Sequence, residues 1–386
     1  MKKVRIGIVG IGNMGTSHAQ NILAGKIARL ELTAVADTEP AKLARVPQVK
    51  GFATADAMIA SGLIDAILIC TPHYDHTTIG IKALKAGLHV LVEKPLSVHR
   101  ADCERLIAAH TNKKQVFAAM FNQRTDHYYI KIRDLIQSGE LGEIRRVNWI
   151  ITNWFRTEAY YASGGWRATW GGEGGGVLLN QCPHNLDLFQ WMFGLPVTLR
   201  ANCQFGKYHD IEVEDDVTAT MTFKNGATGV FITSTGEAPG TNRLEITAER
   251  GRVVYEDDKI TYTRNVQEMS DFSRTTTQGF ARPDVWDVSI PAPNHGPQHN
   301  GILENFTNAI LDGTPLVAPA AEGIHSVELA NAMLLSAWTD KEVSFPIDGK
   351  KYERLLKAKI AASKAGKKKK KTVKVAADDF SKSFGR

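Results

Sequence analysis

Residues 4–15 read VRIGIVGIGNMG, a short apolar strand that runs directly into a glycine-rich turn. The glycines have the G-x-G-x-x-G spacing of a phosphate-binding turn. The first permits a tight turn, the second lets the backbone approach a pyrophosphate, and the third lets the following helix pack on the strand. The residues of this turn predicted to bind a dinucleotide are Gly10, Gly12, Asn13, Met14 and Gly15.

An acidic residue follows the second predicted strand. Leu30–Ala36 is apolar, and Asp37 comes directly after it, twenty-two residues beyond Gly15. An acid at this position hydrogen-bonds the adenosine ribose hydroxyls, and its charge repels a 2′-phosphate. Because neither Thr38 nor Glu39 supplies a cation, the sequence favours NAD over NADP.

Strands and helices continue to alternate to about residue 121. Apolar strands are predicted at 66–71, 89–92 and 115–121, with helical segments between them, a pattern typical of a parallel α/β sheet. Pro95 ends the strand at 89–92, so Lys94 is expected to project from the carboxyl end of the sheet. Open parallel sheets bind their ligands at that end.

A long aromatic and glycine-rich segment distinguishes the second half of the chain. Trp154, Arg156, Tyr160, Trp166 and Arg167 precede a cluster of glycines that ends at residue 176. Aromatic rings stack on the C–H faces of sugars, and arginines donate hydrogen bonds to hydroxyls. The segment is interpreted as a carbohydrate-like ligand site, and a loop that only packs in the core is the alternative.

Asn180, His184 and Asp187 follow the glycine cluster at helical spacing, so they are predicted to share one helix face. Oxidising an alcohol requires hydride transfer to a nicotinamide and proton transfer to a base. His184 is the candidate base, and Lys94 is the candidate for polarising the same oxygen and relaying a proton.

These motifs, in this order and spacing, resemble the Gfo/Idh/MocA oxidoreductases, a family that includes glucose–fructose oxidoreductase and inositol dehydrogenase. The resemblance covers about residues 3–348, and its motifs are Gly10–Gly15, Thr71-Pro72, Glu93-Lys94-Pro95, Trp166-Arg167, Gly174–Gly176, His184 and His299-Asn300-Gly301. It implies an α/β protein with an N-terminal Rossmann domain and a C-terminal α/β domain. The large, mostly antiparallel, open-faced sheet of the second domain commonly forms oligomer contacts. The expected domains are 1–121 and 122–360, in a homodimer or homotetramer.

The candidate site residues combine this resemblance with the patterns above. The expected cofactor-binding residues outside the glycine turn are Asp37, Thr71, Pro72, His73, His76, Glu93, Lys94, Asn122, Trp166 and Arg167. The expected substrate-binding residues are Lys94, Arg124, Trp154, Arg156, Tyr160, Trp166, Asn180, His184 and His299. The expected catalytic residues are Lys94, His184 and Asn180.

One residue departs from the family pattern. The family helix usually carries aspartate four residues before the histidine, and this chain has Asn180. An aspartate would raise the histidine pKa, whereas an amide can only form hydrogen bonds. The pKa of His184 is therefore expected near its reference value of about 6.5. Asn180 is expected to orient a sugar hydroxyl or the imidazole ring.

Three hypotheses for function follow. The first is an NAD-dependent oxidoreductase acting on a sugar, glycoside or cyclitol. The second is an enzyme that retains NAD, oxidises a glycoside transiently, cleaves it by elimination and returns the hydride. The third is a non-catalytic NAD-sensing regulator, because a fold alone does not determine function.

Composition agrees with a two-domain globular protein of 386 residues, 43% hydrophobic and 23% charged. The formal net charge is +6, and the last 37 residues hold fourteen basic and three acidic side chains, a local +11 that leaves −5 for residues 1–349. Residues 361–386 are predicted to be a disordered, lysine-rich tail. Nucleic-acid binding is not expected, because no recognition motif accompanies the lysines.

The remaining expectations concern metal and compartment. Four widely spaced cysteines without a paired framework predict a reducing, cytoplasmic environment. No apolar run reaches the length of about 20 residues that a membrane helix needs. His295 and His299 are spaced like a ligand pair but lack a carboxylate or cysteine at ligand spacing, so no metal site is predicted.

Overall fold

The computed structural model describes residues 2–363, which form two β-sheets with helices packed against them. The strands of the first sheet are β1 (Val4–Val9), β2 (Leu30–Ala36), β3 (Lys50–Phe52), β4 (Ala66–Ile69), β5 (His89–Val92) and β6 (Phe117–Ala119). The helices among them are α1 (Asn13–Leu23), α2 (Pro40–Leu43), α3 (Ala55–Ile59), α4 (His73–Lys85) and α5 (Arg100–Ala108).

The first sheet is entirely parallel, with strand order β3-β2-β1-β4-β5-β6. This is the order of a doubly wound dinucleotide-binding sheet, so the predicted Rossmann fold is confirmed. Strands β4 and β5 are buried almost throughout because helices cover both faces of the sheet. The carboxyl ends of β1, β4 and β5 place Gly10, Cys70 and Glu93 along one edge, which is where the site forms.

The second half of the chain builds a mixed sheet of nine strands. These strands are β7 (Ile144–Ile151), β8 (Thr198–Phe205), β9 (Glu214–Thr222), β10 (Thr228–Ser234), β11 (Asn242–Ala248), β12 (Gly251–Glu256), β13 (Lys259–Asn265), β14 (Val285–Ile290) and β15 (Val343–Ser344). The helices are α6 (His127–Gln137), α7 (Glu158–Ala162), α8 (Pro183–Phe193), α9 (Met269–Thr275), α10 (Gln298–Asp312), α11 (Gly323–Thr339) and α12 (Gly349–Ala362). Short 3₁₀ turns lie at Asn122–Thr125 and Ala320–Glu322.

The order of the second sheet is β14-β13-β12-β11-β7-β10-β9-β8-β15, and only the β7–β10 pair is parallel. The sheet is therefore mostly antiparallel, as predicted. Burial alternates along its inner strands: in β11, Leu244 and Ile246 are buried while Arg243 and Glu245 are partly exposed. Helices α8 and α11 pack against each other, and α11 lies on β8, so helices cover the buried face. This arrangement is the open-faced sheet of the predicted C-terminal domain.

Parts of the last third of the chain return to the first sheet. Ile302 and Phe306 of α10, together with Val327 of α11, belong to the apolar core that includes β1 and β4. In addition, Ala119 donates its backbone N–H to the Ala318 carbonyl at 3.0 Å. The boundary near residue 121 remains a prediction, and these contacts attach the end of the chain to the nucleotide-binding sheet.

The start of the His184 helix and the C-terminal tail differ from what the sequence predicted or lie partly outside the described residues. The helix expected directly after Gly176 begins at Pro183, so Asn180 lies in the preceding turn and not on the helix of His184. Of the predicted tail, only residues 361–363 are described, and the first two form the end of α12; the rest lies outside the described residues.

Two further predictions concern the cysteines and membrane-spanning helices. The four cysteines, Cys70, Cys103, Cys182 and Cys203, are free thiols, as the absence of a paired framework predicted. Within residues 2–363, no helix combines the length and the hydrophobicity needed to cross a membrane.

Candidate active site

The glycine turn has the geometry its spacing predicts. Gly10 has a φ of +89°, and a Cβ there would lie 2.6 Å from the Cys70 carbonyl oxygen. A Cβ on Gly15 would lie 1.9 Å from the Gly10 carbonyl oxygen, so helix α1 packs against the turn at backbone distance. Gly12, the N-cap of α1, has no neighbouring atom within 4 Å of the Cβ position and provides no side-chain cap. The start of this helix therefore presents backbone N–H groups to an open space, as phosphate binding requires.

Asp37 is held at the end of β2 by the turn itself. Its carboxylate accepts hydrogen bonds from the backbone N–H groups of Ile11 at 2.8 Å and Glu39 at 2.9 Å. These contacts keep the carboxylate beside the glycine turn, where a ribose would lie. A cation does lie near Asp37, although residues 38 and 39 do not supply it: Lys42 Nζ is 4.0 Å from Asp37 and 2.6 Å from Glu39.

Unpartnered polar atoms along this edge fit a polar cofactor. Thr16 Oγ1 on α1, Thr71 Oγ1 after β4 and Asn122 Oδ1 after β6 are buried without a hydrogen-bond partner among the described residues. Buried polar groups without partners are rare, because each costs about 1–3 kcal/mol. Together with the open space at Gly12, they fit a dinucleotide lying across the carboxyl ends of the strands.

Glu93 is paired with a residue that sequence reasoning missed. His18 Nε2, on the buried side of α1, donates a hydrogen bond to Glu93 Oε1 at 2.7 Å. Burial would raise the pKa of Glu93, but the hydrogen bond and charge of His18, with smaller effects from His299 and Lys94, lower it to about 2. Glu93 is therefore an anion beside the glycine turn. In the sequence, His18 is only a histidine three residues after Gly15, and nothing there indicates that it lies on the buried face of α1.

Lys94 projects from the end of β5 toward the second domain. Its Nζ donates a hydrogen bond to the Asn180 carbonyl oxygen at 2.9 Å, joining residues 86 positions apart. Burial lowers the pKa of Lys94, while the charges of Glu93 and Glu173 oppose that effect. The pKa of the amine therefore lies below that of an exposed lysine, and the two nearby carboxylates favour its charged form.

His184 lies at the start of α8 with 8% of its surface exposed. Its Nδ1 has no hydrogen-bond partner among the described residues, and its ring meets Phe121 edge-on, with the centroids 6.3 Å apart. Burial, followed by the positive charges of Lys94 and His299, lowers its pKa well below 6.5. The expectation that this pKa stays near the reference value is wrong. The imidazole is neutral at pH 7, the protonation state that a general base needs.

Asn180 joins Lys94 to a buried carboxylate. Its side-chain amide donates to Glu173 Oε1, and its side-chain oxygen accepts from Tyr160 Oη at 3.3 Å and from Gln181 Nε2 at 3.1 Å. The backbone carbonyl oxygen of Asn180 accepts the Lys94 amine. Both polar atoms of the Asn180 side chain also have partners within the site. Glu173 and Gln181 were not predicted.

The aromatic segment folds over the same region. Arg156 and Arg167 lie against the Tyr160 ring, 5.2 and 4.7 Å from its centroid, and Arg167 also donates to Tyr160 Oη at 2.9 Å. Trp166 is 38% exposed and meets His73 edge-on at 6.3 Å. Tyr160 thus reaches Asn180, and Trp166 contacts His73, whose pKa the Lys94 charge helps to lower, so both rings belong to the surroundings of Lys94. Such a surface suits a ligand with both C–H faces and hydroxyls.

Four other predicted residues lie nearby in different roles. Trp154 donates its indole N–H to Asn185 Oδ1 at 3.3 Å. The His299 ring lies 5.4 Å from the His18 ring, and burial together with the His18 charge lowers its pKa to about 4. His73 Nδ1 lies 3.2 Å from the Glu173 carbonyl oxygen, and burial lowers its pKa to about 3. The His76 ring spans the Thr71 and Pro95 carbonyl oxygens, each at 2.9 Å, so it holds two strand ends together.

Arg124 has a structural environment that the sequence did not suggest. It is 1% exposed, and its Nε and Nη2 atoms bind both oxygens of Asp187 at 2.7 Å. Its Nη1 donates to Glu322 at 2.5 Å and to the Val317 carbonyl oxygen at 3.1 Å. The guanidinium of Arg124 is thus engaged by these partners, and the substrate-binding role expected for Arg124 stays a prediction.

One cluster has donors of the kinds that bind transition metals. His18 Nε2, Cys70 Sγ and a Glu93 oxygen lie within 4.8 Å of one another, the single such group within residues 2–363. Its members come from three different elements, so no sequence spacing indicated it. His18 and Glu93 already satisfy each other, and the predicted absence of a metal site stays a prediction.

The fold and this edge of the first sheet are those of a dinucleotide-dependent enzyme. Residues 4–121 match the family model of oxidoreductases with an NAD-binding Rossmann fold, and residues 129–254 match the model of the GFO/IDH/MocA C-terminal domain. The chain belongs to the Gfo/Idh/MocA oxidoreductase family, and its cofactor is NAD.

Individual relatives agree with this assignment. The chain is 24% identical to inositol 2-dehydrogenase of Rhizobium meliloti over 88% of its own length and 99% of that protein. It is 27% identical to myo-inositol 2-dehydrogenase of Thermotoga maritima, over 69% of this chain and 80% of that one. Among solved structures, the WlbA dehydrogenase of Chromobacterium violaceum, in complex with NADH and UDP-GlcNAcA, superimposes with a TM-score of 0.78 at 27% identity, covering 90% of this chain and 97% of that one.

Proposed function

We propose that the protein transfers hydride between the nicotinamide of NAD and a hydroxyl or keto carbon of a sugar, glycoside or cyclitol. The observation that carries this proposal is that two buried groups lie close together: Lys94, which follows β5 and donates to the Asn180 backbone carbonyl, and His184 of α8, which packs on Phe121 and whose pKa the Lys94 charge helps to lower. The names of relatives support the substrate class, since they include two inositol dehydrogenases and a dehydrogenase in complex with UDP-GlcNAcA.

Each residue of the site has a role in this proposal. NAD, when bound, supplies the hydride acceptor. Neutral His184 takes the proton of the reacting hydroxyl, and the Lys94 ammonium donates a hydrogen bond to the same oxygen, stabilising its developing negative charge. The breaking O–H bond thus gives its proton to an imidazole nitrogen, and NAD, when bound beside these residues, would accept the hydride from the C–H bond. Asn180 holds the Lys94 amine in place through its carbonyl oxygen.

The remaining predicted residues bind the two ligands. Gly10–Gly15, Thr71 and Asn122 bind the dinucleotide through the backbone and the unpartnered polar atoms, while Asp37 binds the adenosine ribose. Tyr160, Trp166 and the two neighbouring arginines bind the sugar. Glu93 places a negative charge beside Lys94, and His299 lies close enough for the Lys94 charge to contribute to its low pKa.

A panel of sugars, glycosides and cyclitols, with NAD in excess, tests the proposal. We expect at least one member to generate NADH, read by absorbance, together with one equivalent of ketone. NAD binding without turnover across the panel would support the regulator hypothesis instead. The retained-cofactor hypothesis predicts that denaturing the purified protein releases stoichiometric NAD or NADH, and that a glycoside is cleaved without net NADH.

The pH dependence of oxidation should reveal the low pKa of His184. Because the base must be neutral, the rate is lost as pH falls through its pKa, which lies well below 6.5. We expect the acid limb of kcat/KM at a pH below 6.5, and an alkaline limb below 10.5 where Lys94 deprotonates. Steady-state rates across the pH range, with circular dichroism to confirm folding, provide the test. An acid limb at 6.5 or above would exclude a buried neutral His184 as the base.

We also propose that the outer face of the nine-stranded sheet forms a homodimer or homotetramer contact in the cytoplasm. On this face Ile150, Val230, Ile232 and Val254 alternate along their strands with buried residues and are themselves partly exposed, an apolar group that a single chain leaves incompletely covered. Light scattering of the purified protein is expected to give a dimer or tetramer mass. Ile232→Glu, which places a charge in this face, is expected to shift that mass toward the monomer. A wild-type monomer at micromolar concentration would contradict the proposal.

A further inference from the structure

The glycine-rich segment buries a carboxylate. Glu173 is 2% exposed, and its Oε2 accepts the backbone N–H of Ala168 at 2.6 Å. The backbone around it is specialised: Ala168 has a φ of +50°, and Gly174 has a φ of +78°. A Cβ at Gly172 would lie 2.0 Å from the Trp166 carbonyl oxygen. Burying a carboxylate is costly, so a loop built around one indicates that its charge is used.

The second oxygen of Glu173 connects this charge to the site. Oε1 accepts the side-chain amide of Asn180, and the carbonyl oxygen of Asn180 accepts the Lys94 amine. Asn180 therefore links Glu173 to Lys94, with its side-chain amide bound to the carboxylate and its backbone carbonyl bound to the amine. The two charges also interact directly, because each moves the pKa of the other toward the ionised form.

We propose that Glu173 is the positioning residue that orients the Lys94 amine and keeps it protonated, acting through Asn180. This inference rests on the proposed function for its catalytic meaning, although its electrostatic part can be measured without turnover. Asn180 is the connecting group, since an amide can donate to a carboxylate while its own backbone carbonyl accepts from an ammonium. Because Glu173 supplies the negative charge, a polar, uncharged residue at position 180 is compatible with a protonated lysine.

Other charges also influence Lys94, so the expected shifts are defined against them. Among the described residues, the groups whose charges act on Lys94, or on which its charge acts, are Glu93, Glu173, Arg156, Arg167, His73, Cys182, His184 and His299. The two arginines lower the pKa of Lys94, and the two glutamates raise it. Removing one of the two carboxylates leaves a positive surplus around the amine, which favours its neutral form.

Three variants test the inference. Glu173→Gln is expected to move the Lys94 titration to lower pH and to reduce kcat at neutral pH by about tenfold or more. Asn180→Asp, which adds a second carboxylate, is expected to move the titration to higher pH. The double variant Glu173→Gln/Asn180→Asp keeps one carboxylate but moves it from position 173 to position 180. It is expected to restore a titration close to wild type. The titration is read as the alkaline limb of kcat, and independently as the pH dependence of Lys94 acetylation by acetic anhydride, followed by mass spectrometry.

Glu214→Gln is the matched control. Glu214 is also fully buried beside the segment and accepts the backbone N–H groups of Gly176 and Leu178, but it is not among the charges that shift the pKa of Lys94. Its variant is expected to leave the Lys94 titration in place. An unchanged Lys94 titration in Glu173→Gln, or an equal shift in Glu214→Gln, would overturn the inference. If Glu173→Gln does not fold, Asn180→Asp alone decides, because an unchanged or lowered titration there contradicts it. Absence of turnover on every substrate would count against the proposed function only, because the acetylation readout needs no substrate.

Discussion

Replacing Lys94 or His184 by alanine is expected to lower kcat by about 10²–10⁴-fold each, the usual contribution of a general acid or base. Each change removes a group that acts on the reacting oxygen and leaves the glycine turn intact. The Kd for NAD is therefore expected to change little. Steady-state kinetics and isothermal titration with NAD measure the two quantities separately.

The control for the lysine is Lys82→Ala. Lys82 is an exposed lysine of α4, paired with Asp56 at 2.7 Å, and its loss is expected to leave kcat and NAD binding near wild type. If both the Lys94 and His184 variants turn over like wild type, the proposed active site is wrong. If either loses NAD binding completely, its role is in the cofactor site and not in proton transfer.

The second large effect concerns stability. Arg124→Ala removes the partner of Asp187, which is 0% exposed and bound through both oxygens at 2.7 Å. An uncompensated buried carboxylate typically costs about 3–5 kcal/mol of unfolding free energy. Guanidinium denaturation, followed by circular dichroism, is expected to show a loss of that size.

Arg5→Ala is the matched control for the lost arginine. Arg5 binds Asp65 at 2.6 Å, but the side chains are 45% and 40% exposed, and exposed pairs contribute little. Unfolding of this variant is expected to stay near wild type. If Arg124→Ala were as stable as Arg5→Ala and instead raised KM, the substrate-binding role expected from the sequence would be right and the structural role wrong.

The sequence predicted those parts of the fold that depend on neighbouring residues. The strand, turn and helix at residues 4–23 and the acid after β2 follow from local spacing, and they appeared where expected. Strand β14 was not predicted, because every residue except its last is exposed and the alternation of buried and exposed positions is lost. Strand β15 has two residues, too few for a pattern.

Within the site, the sequence could propose single residues but not their partners. Lys94 and His184 stood out by motif and resemblance, whereas the pairs His18–Glu93 and Arg124–Asp187 join positions 75 and 63 residues apart. The pKa expected for His184 was wrong for the same reason. It considered the neighbour at position 180 and could not include burial or the charges of Lys94 and His299, which decide the value.

The central claim is hydride transfer from a CH–OH carbon of the substrate to the cofactor. Its most direct test uses a substrate from the panel that carries deuterium on the oxidised carbon, with mass spectrometry of the cofactor after one turnover. We predict one deuterium per reduced nicotinamide and an equal amount of ketone. Deuterium that remains in the sugar product, with none in the cofactor pool released from the enzyme, would contradict the account.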